Sequence, residues 1–331
     1  MGAQIMTGPT ISIVIPTYNR SAMVRNTLAC MIGQETDELF TYEILVIDDA
    51  STDDTASVVR KISDQSPVPV RYIHGEGKGY TVVLNRAVAE FRGQWLAFFD
   101  DDQLTHPTWI KELYNAALQQ KADMVGGPIV LDLPESVLSG IGPVCRDLYG
   151  ESPDVRNPKL YRGKDPLPGG GNRLVRRCVF EKIGTFDEAF LTGGCDRDFL
   201  LRAKAAGVPM GWAPLAQGRH LIPPERFSNK HIKWYSLQFG CSLAFSDLKR
   251  LGVFRTTLLA IARIGQAFLV NMPLLLWARI KKDDAEDSDR RALLWRAVGY
   301  IRKTLQAVAP KLFAQKDFFS KVEFRRAREN T

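Results

Sequence analysis

Three consecutive carboxylates, Asp100, Asp101 and Asp102, follow the apolar run Trp95 to Phe99 in the stretch QWLAFFDDDQ. Length and aromatic content make that run a buried central strand. Carboxylates crowded at its carboxyl end repel one another and resist desolvation. Something positive is expected beside them, and their hard oxygens suit Mg2+ or Mn2+. The same string also reads as a solvated acidic turn ahead of the helix that His106-Pro107 begins. Other acids stand at comparable places. Asp48 and Asp49 close YEILVIDD, and Asp196 and Asp198 open the helix of CDRDFLLRAKAAG. An Asp at a helix start is ordinarily a cap, and Asp198 has Arg202 at i+4 for an ion pair.

The elements that must position these groups alternate between strand and helix. ISIVIP, from Ile11 to Pro16, reads as a first buried strand. Thr17-Tyr18-Asn19-Arg20 then turns into a helix with Ser21 as the expected cap. Tyr42 to Asp49 is a second strand, and Ser51 with Asp54 resembles a capping box for the helix after it. Val70 to Gly75 is a third, followed by GEGKGYT and a helix carrying Asn85. Ala122 to Leu131 reads as one further strand. Such alternation builds a mostly parallel sheet covered on both faces, with ligands at the carboxyl ends of its strands. Residues 132–168 form a long loop rich in Pro and Gly, a length that is usually functional or mobile. The Gly turn Gly169 to Asn172 precedes a short strand, and Gly there permits close backbone approach.

The five cysteines, Cys30, Cys145, Cys178, Cys195 and Cys241, form no CxxC pair. That argues against a zinc site or disulfide framework and fits a reducing compartment. MGAQIMTGPT lacks the basic and apolar regions of a signal peptide, and Met6 breaks the myristoylation pattern. The formal charge of +7 is concentrated late, because 18 Lys+Arg against 9 Asp+Glu follow from Asp247 onward. A basic tail implies an anionic surface. Val253 to Ile280 is strongly apolar yet broken by Arg255, Arg263, Gln266, Asn271, Pro273 and Arg279. It is expected to be an interfacial rather than a spanning helix. Ser288 to Leu305 is a second amphipathic helix, with Leu294, Val298, Ile301 and Leu305 on one side. Trp277 and Trp295 suit a membrane interface. Nothing interleaves aromatic and basic residues as nucleic-acid binding requires.

Together, the first strand with PTYNR, VIDDASTDDT, FFDDDQ, and GTFDEAF followed by CDRDFLLRAKAAG resemble the family 2 glycosyltransferases. The resemblance runs from about Ile11 to His220. It implies a GT-A fold, a Rossmann-like mostly parallel α/β sheet flanked by helices, with a C-terminal helical appendage. The expected domains are residues 1–226, catalytic, and 227–331, a basic helical region that associates with membrane.

The resemblance also implies roles. Pro16, Thr17 and Tyr18 would line the base and ribose pocket, and Asp49 would accept from a uracil-type N–H. Lys78 and Asn85 would lie near the diphosphate and donor. Asp100 would bind ribose or metal, Asp101 would add a polar contact, and Asp102 would coordinate a divalent cation, Mg2+ or Mn2+. His220 would be a third metal ligand or a phosphate contact, with Arg219 and Arg226 as further phosphate partners. Asp196 would be the general base. Cys195 departs from the Glu that usually precedes that Asp.

The implied activity is an inverting transfer from a nucleotide sugar, UDP-linked by preference, to a hydroxyl of a lipid-linked or polysaccharide precursor. The implied location is peripheral, at the cytoplasmic face of a membrane. The alternative is an inactive nucleotide-sugar-binding scaffold, to which Cys195 lends weight. GEGKGYT lacks Walker A spacing, the first strand lacks GxGxxG after it, and PTYNR is not the loop of a sugar nucleotidyltransferase.

Overall fold

The computed structural model describes residues 8–152, 169–190 and 193–313. The amino-terminal leader motifs, most of the second half of the 132–168 loop and the last basic residues lie outside the described part. The chain divides into two compact units. One comprises Met1–Val130, Ser152–Ala189 and Cys195–Leu221; the other comprises Leu131–Glu151, Phe190–Gly194 and Ile222–Thr331. The helical unit therefore begins a few residues before the expected boundary after Arg226, and it also takes two earlier segments.

The first unit alternates strand and helix: β1 (Ile11–Thr17), α1 (Ser21–Ile32), β2 (Tyr42–Asp48), α2 (Thr55–Ser63), β3 (Val70–His74), α3 (Tyr80–Glu90) and β4 (Trp95–Phe99). Then come β5 (Gln103–Thr105), α4 (Trp109–Gln119), β6 (Met124–Gly126) and β7 (Ile129–Asp132). In β7 the chain passes into the second unit, which holds α5 (Glu135–Leu138) and α6 (Pro143–Leu148). The first unit resumes with β8 (Asn172–Arg176), α7 (Arg177–Ile183), α8 (Cys195–Ala205), β9 (Met210–Trp212) and β10 (Gly218–Leu221). The second unit ends in α9 (Asn229–Gln266), α10 (Met272–Lys281) and α11 (Asp284–Val308).

The main sheet has seven strands in the order β3-β2-β1-β4-β8-β6-β9. It is parallel except where β8 runs antiparallel to β4 and β6. β1, β2 and β4 are buried along their whole length, which is why they read as unbroken apolar runs. Their side chains, with Leu28, Met31, Trp109, Ile110 and Leu113 from the covering helices, make the core. A second sheet has the order β5-β10-β7. The expected single strand Ala122–Leu131 is thus two strands in two sheets. Its Gly126-Gly127-Pro128 bend redirects the chain, and Pro128 lacks the donor a continuous ladder needs.

Two expected caps do not form. Arg20, not Ser21, occupies the cap position of α1, and α2 starts at Thr55 without a side-chain cap. Ser51 instead donates through its N–H and its Oγ to Asp48 Oδ1, at 2.9 and 2.5 Å. The buried carboxylate is a strong acceptor for that hydroxyl, whose oxygen accepts from the Asn19 N–H and not from the first turn of α2.

In the helical unit α9 and α11 cross at two glycines. A Cβ on Gly240 would strike the carbonyl of Arg296, and one on Gly299 would strike that of Leu237. α9 breaks at Gly252, whose φ of 76° and ψ of 172° are non-helical, and a π turn at Ala267–Asn271 joins it to α10. The polar side chains beyond that break share no one face: Arg255 is exposed, Thr256 is buried, and Arg263 lies over the Tyr300 ring at 4.2 Å. On α11 the packed side is carried by Ala292, Ala297, Tyr300 and Thr304, while Val298 and Leu305 are exposed.

Candidate active site

β1 and β4 are neighbours in parallel register, Val14 beside Phe98. Their carboxyl ends therefore deliver Thr17 and Asp100–Asp102 to the same edge. Thr17 Oγ1 donates to Asp101 Oδ2 at 2.7 Å. Arg20 Nη1 donates to Asp101 Oδ1 and to Asp102 Oδ2, each at 2.7 Å. The positive group that three adjacent acids demand is thus supplied in part by the chain itself. β10 pairs antiparallel with β5, His220 opposite Gln103, and that register sets His220 Nε2 3.3 Å from Asp102 Oδ1.

Electrostatics separate the three acids. Burial pushes the Asp102 carboxyl up, but His220 and Arg20 outweigh it and hold the group well below the usual carboxylate range. Burial prevails at Asp101, whose pKa is raised despite Arg20. Asp100 is pushed up to about 7, by burial first, then by Asp102 and Asp196. Its hydrogen bonds are long: Tyr80 Oη at 3.4 Å and Gln103 Nε2 at 3.3 Å. Burial and Asp100 raise the Tyr80 hydroxyl well above its ordinary value.

Asp196 enters from α8. A Cβ on Gly170 would lie 2.8 Å from its carboxyl carbon, and one on Gly171 would overlap Asp100 Oδ2. One glycine pair therefore touches both acids and leaves no room for a side chain between them. Asp196 Oδ1 accepts from Arg173 Nη2 at 2.6 Å. Cys195 is buried and its thiol is pushed up to about 12, by burial and then by Asp196; it is a neutral packing group where a Glu would be ionic. Asp198 pairs with Arg202 Nε at 2.8 Å, and Arg202 also donates to the carbonyls of Ile183 and Thr185. That is the ion pair its spacing implies.

Asp49 is buried. Its N–H donates to the Thr17 carbonyl at 2.9 Å, and its Oδ1 accepts from the Gly79 N–H at 3.1 Å. Asn19 ties the first two motifs together: its N–H donates to Ser51 Oγ at 2.8 Å, and its Oδ1 accepts from the Thr52 N–H at 2.7 Å. Pro16 lies in β1 beside Ile47, and Tyr18 is half-buried at the strand's end.

The other expected residues have partners of their own or face solvent. Lys78 is exposed and pairs with Glu76. Asn85 Nδ2 donates to the Phe186 carbonyl and to Glu188 Oε1, both at 2.9 Å, and its Oδ1 accepts from the Phe186 N–H. Arg219 is exposed, and Arg226 is buried within the helical unit, where its carbonyl accepts from Tyr149 Oη. Sequence reasoning missed the pairing of Arg20 with Asp101 and Asp102, the place of Tyr80 and the pairing of Arg173 with Asp196. Only Arg20 left a signal, since a lone Arg closes the first motif beside the strand that bears three acids.

Among the described residues no cluster of three or more His, Cys, Asp or Glu side chains forms a ready metal cage. The donor set nevertheless fits a hard cation. Asp100 is an acid short of positive charge, with Asp102 and His220 beside it. Mg2+-like ions are usually held by one or two carboxylates plus substrate phosphates.

The fold is shared with a mannosyltransferase from Pyrobaculum calidifontis, solved in complex with GDP-Man and Mn2+. The TM-score is 0.57 at 17% identity, over 88% of this chain and 87% of that one. This is the GT-A class, with a mostly parallel sheet, an acidic edge and a helical extension. The model of the family "Glycosyl transferase family 2" matches residues 12–184, more than half of the chain, and the chain belongs to that family.

Among curated relatives, Glycosyltransferase AglE of Haloferax volcanii is 27% identical over 65% of this chain and 68% of its own. Validoxylamine A glucosyltransferase of Streptomyces hygroscopicus subsp. jinggangensis is 36% identical over 70% of this chain and 60% of its own. Chondroitin synthase of Escherichia coli is 26% identical over 69% of this chain and 38% of its own. The chain thus spans about two thirds of the first relative and less of the other two. It is a glycosyltransferase.

Proposed function

We propose that the chain moves a sugar from a nucleoside diphosphate sugar, UDP-linked by preference, to an acceptor hydroxyl with inversion at the anomeric carbon. One observation carries this reading: Gly170 and Gly171 lie against Asp196 and Asp100 respectively, so a base and the acidic edge share one wall. Asp49, tied to Thr17 and Gly79, would accept from the base N–H, with Pro16, Thr17 and Tyr18 lining the same pocket. Asp100, Asp102 and His220 would hold a divalent cation, which supplies Lewis-acid stabilisation of charge on the departing diphosphate. Asp196 takes the proton of the acceptor O–H as that oxygen attacks. The C–O bond to the diphosphate breaks with its electron pair on the phosphate oxygen, and attack from the opposite face inverts the centre. The change at Cys195 leaves Asp196 and its ion pair in place, so nothing here favours an inactive scaffold.

The acceptor is proposed to be lipid-linked, with the helical unit resting on the cytoplasmic face of a membrane. By length and composition Asn229–Lys281 could cross a membrane, since an 18-residue stretch of it has a mean hydropathy of 1.6. Phe254, Ile261, Phe268, Leu269, Trp277 and Ile280 are all exposed there. Yet the charged α11 packs beside it: Arg290 donates to Asn271, and Asp287 pairs with Arg279. A helix partnered by a charged helix lies in the interface rather than spanning it.

Turnover of a nucleotide-sugar panel with Mn2+, with EDTA, and with Asp196→Asn tests the proposal. Metal-dependent release of the nucleotide, lost in Asp196→Asn while UDP still binds, is expected. Full turnover by Asp196→Asn would overturn the assignment of the base.

A further inference from the structure

We infer that Arg173 is the positioning residue of the transfer reaction: it fixes Asp196 through one carboxylate oxygen and leaves the other to receive the acceptor's proton. This rests on Asp196 being the base.

Arg173 is fully buried, an unusual state for a guanidinium unless paired. It lies on β8, the antiparallel strand inserted between β4 and β6. Its Nη2 donates to Asp196 Oδ1 at 2.6 Å. Its Nε and Nη1 are buried and make no hydrogen bond. What surrounds them is aromatic: the guanidinium carbon lies 4.7 Å from the centre of the Phe98 ring, 5.3 Å from Phe186 and 5.7 Å from Phe199.

Ring faces hold the cation without offering an acceptor, so Arg173 has one strong partner and no competing one. Phe98 belongs to the strand that ends in the acids, Phe186 to the GTFDEAF segment, and Phe199 to the helix of Asp196. Each is fixed by burial in a different element. The box therefore references the base to the acid-bearing strand.

Asp196 and Asp100 repel one another, and Arg173 sets a positive charge against Asp196. Without it, Asp196 would be free to rotate and would face Asp100 uncompensated. Lysine does not replace it, since an ammonium lacks the planar fork that reaches Oδ1 while stacking.

The test compares Arg173→Met and Arg173→Lys with wild type in Mn2+, using whichever of UDP-glucose, UDP-GlcNAc and GDP-mannose turns over fastest. Arg173→Met is expected to lower kcat by about 10²-fold, with the KM for donor and the Kd for the matching nucleotide within about 2-fold. Arg173→Lys recovers part of kcat. A wild-type kcat in a folded Arg173→Met, or parallel loss of kcat and nucleotide affinity, overturns the inference. Should Arg173→Met not fold, Arg173→Lys carries the same comparison, and an unchanged kcat there overturns it equally. Asp196→Asn, run alongside, separates the two failures: if it retains wild-type kcat, the base assignment has failed rather than the positioning role.

Discussion

Gly171 and Asp100 occupy adjoining space so closely that a Cβ on the glycine would overlap the carboxylate oxygen Oδ2. The next residue locks the loop. Asn172 Nδ2 donates to the carbonyls of Pro128 and Ala216, at 2.9 and 2.7 Å, and its Oδ1 accepts from Trp109 Nε1 at 2.8 Å. The backbone at Gly171 therefore cannot retreat, and Asp100 must move instead. Gly171→Ala is expected to lower kcat/KM by about 10²-fold through misplacement of that acid. Steady-state kinetics beside a thermal melt would check it; unaltered kinetics would show that Asp100 has slack.

Asp100 makes stability fall with rising pH. Its native pKa of about 7 stands above the roughly 3.9 of an unfolded Asp. Between those values the native state holds a proton that the unfolded chain has lost, so the free energy of unfolding declines as pH rises. Asp102 has the opposite sign, but its contribution is complete above the unfolded value and is lost only in acid. In EDTA, wild type is expected to lose Tm relative to Asp100→Asn from pH 5 to 8. Parallel melting curves across that range would contradict this.

The proposed role of His220 at the cation predicts a changed metal requirement on its removal. His220→Ala is expected to raise the Mn2+ concentration for half-maximal turnover by at least about 10-fold. It also deprives Asp102 of its partner at 3.3 Å. Metal titration of turnover is the measurement, and an unchanged midpoint would remove His220 from the set.

The proposed membrane contact gives a lipid-binding prediction. Phe268 and Leu269 are 66% and 80% exposed, and Trp277 is 55% exposed. Flotation with anionic vesicles is expected at low salt, weakening with ionic strength. The triple change of these residues to Ser should abolish it without altering turnover of a soluble acceptor. Failure of the wild-type chain to float would end the membrane proposal.

Asn85 clasps the Phe186 segment through donor and acceptor together. Asn85→Ala leaves backbone groups of that segment without partners, at a cost of about 1–3 kcal/mol. A lowered Tm is expected, and a melt identical to wild type would show that water replaces the amide.

Most of the strands and their acidic ends were legible in the chain itself. Buried parallel strands must be continuous apolar runs, and carboxylates cannot continue them, so FFDDDQ and YEILVIDD mark an edge without any coordinates. The apolar, acid-free stretch from Val253 to Ile280 likewise announced an exposed helix. The tertiary structure decided who meets whom. Arg20 meets Asp101 across 81 residues and Arg173 meets Asp196 across 23. The split of β6 from β7, and the choice of Asp48 over a helix end by Ser51, were also settled there. Periodicity records only which face of an element is buried. Ion pairs, ring stacking and glycine wedges depend on strand order and register, which are set by the packing of the whole sheet.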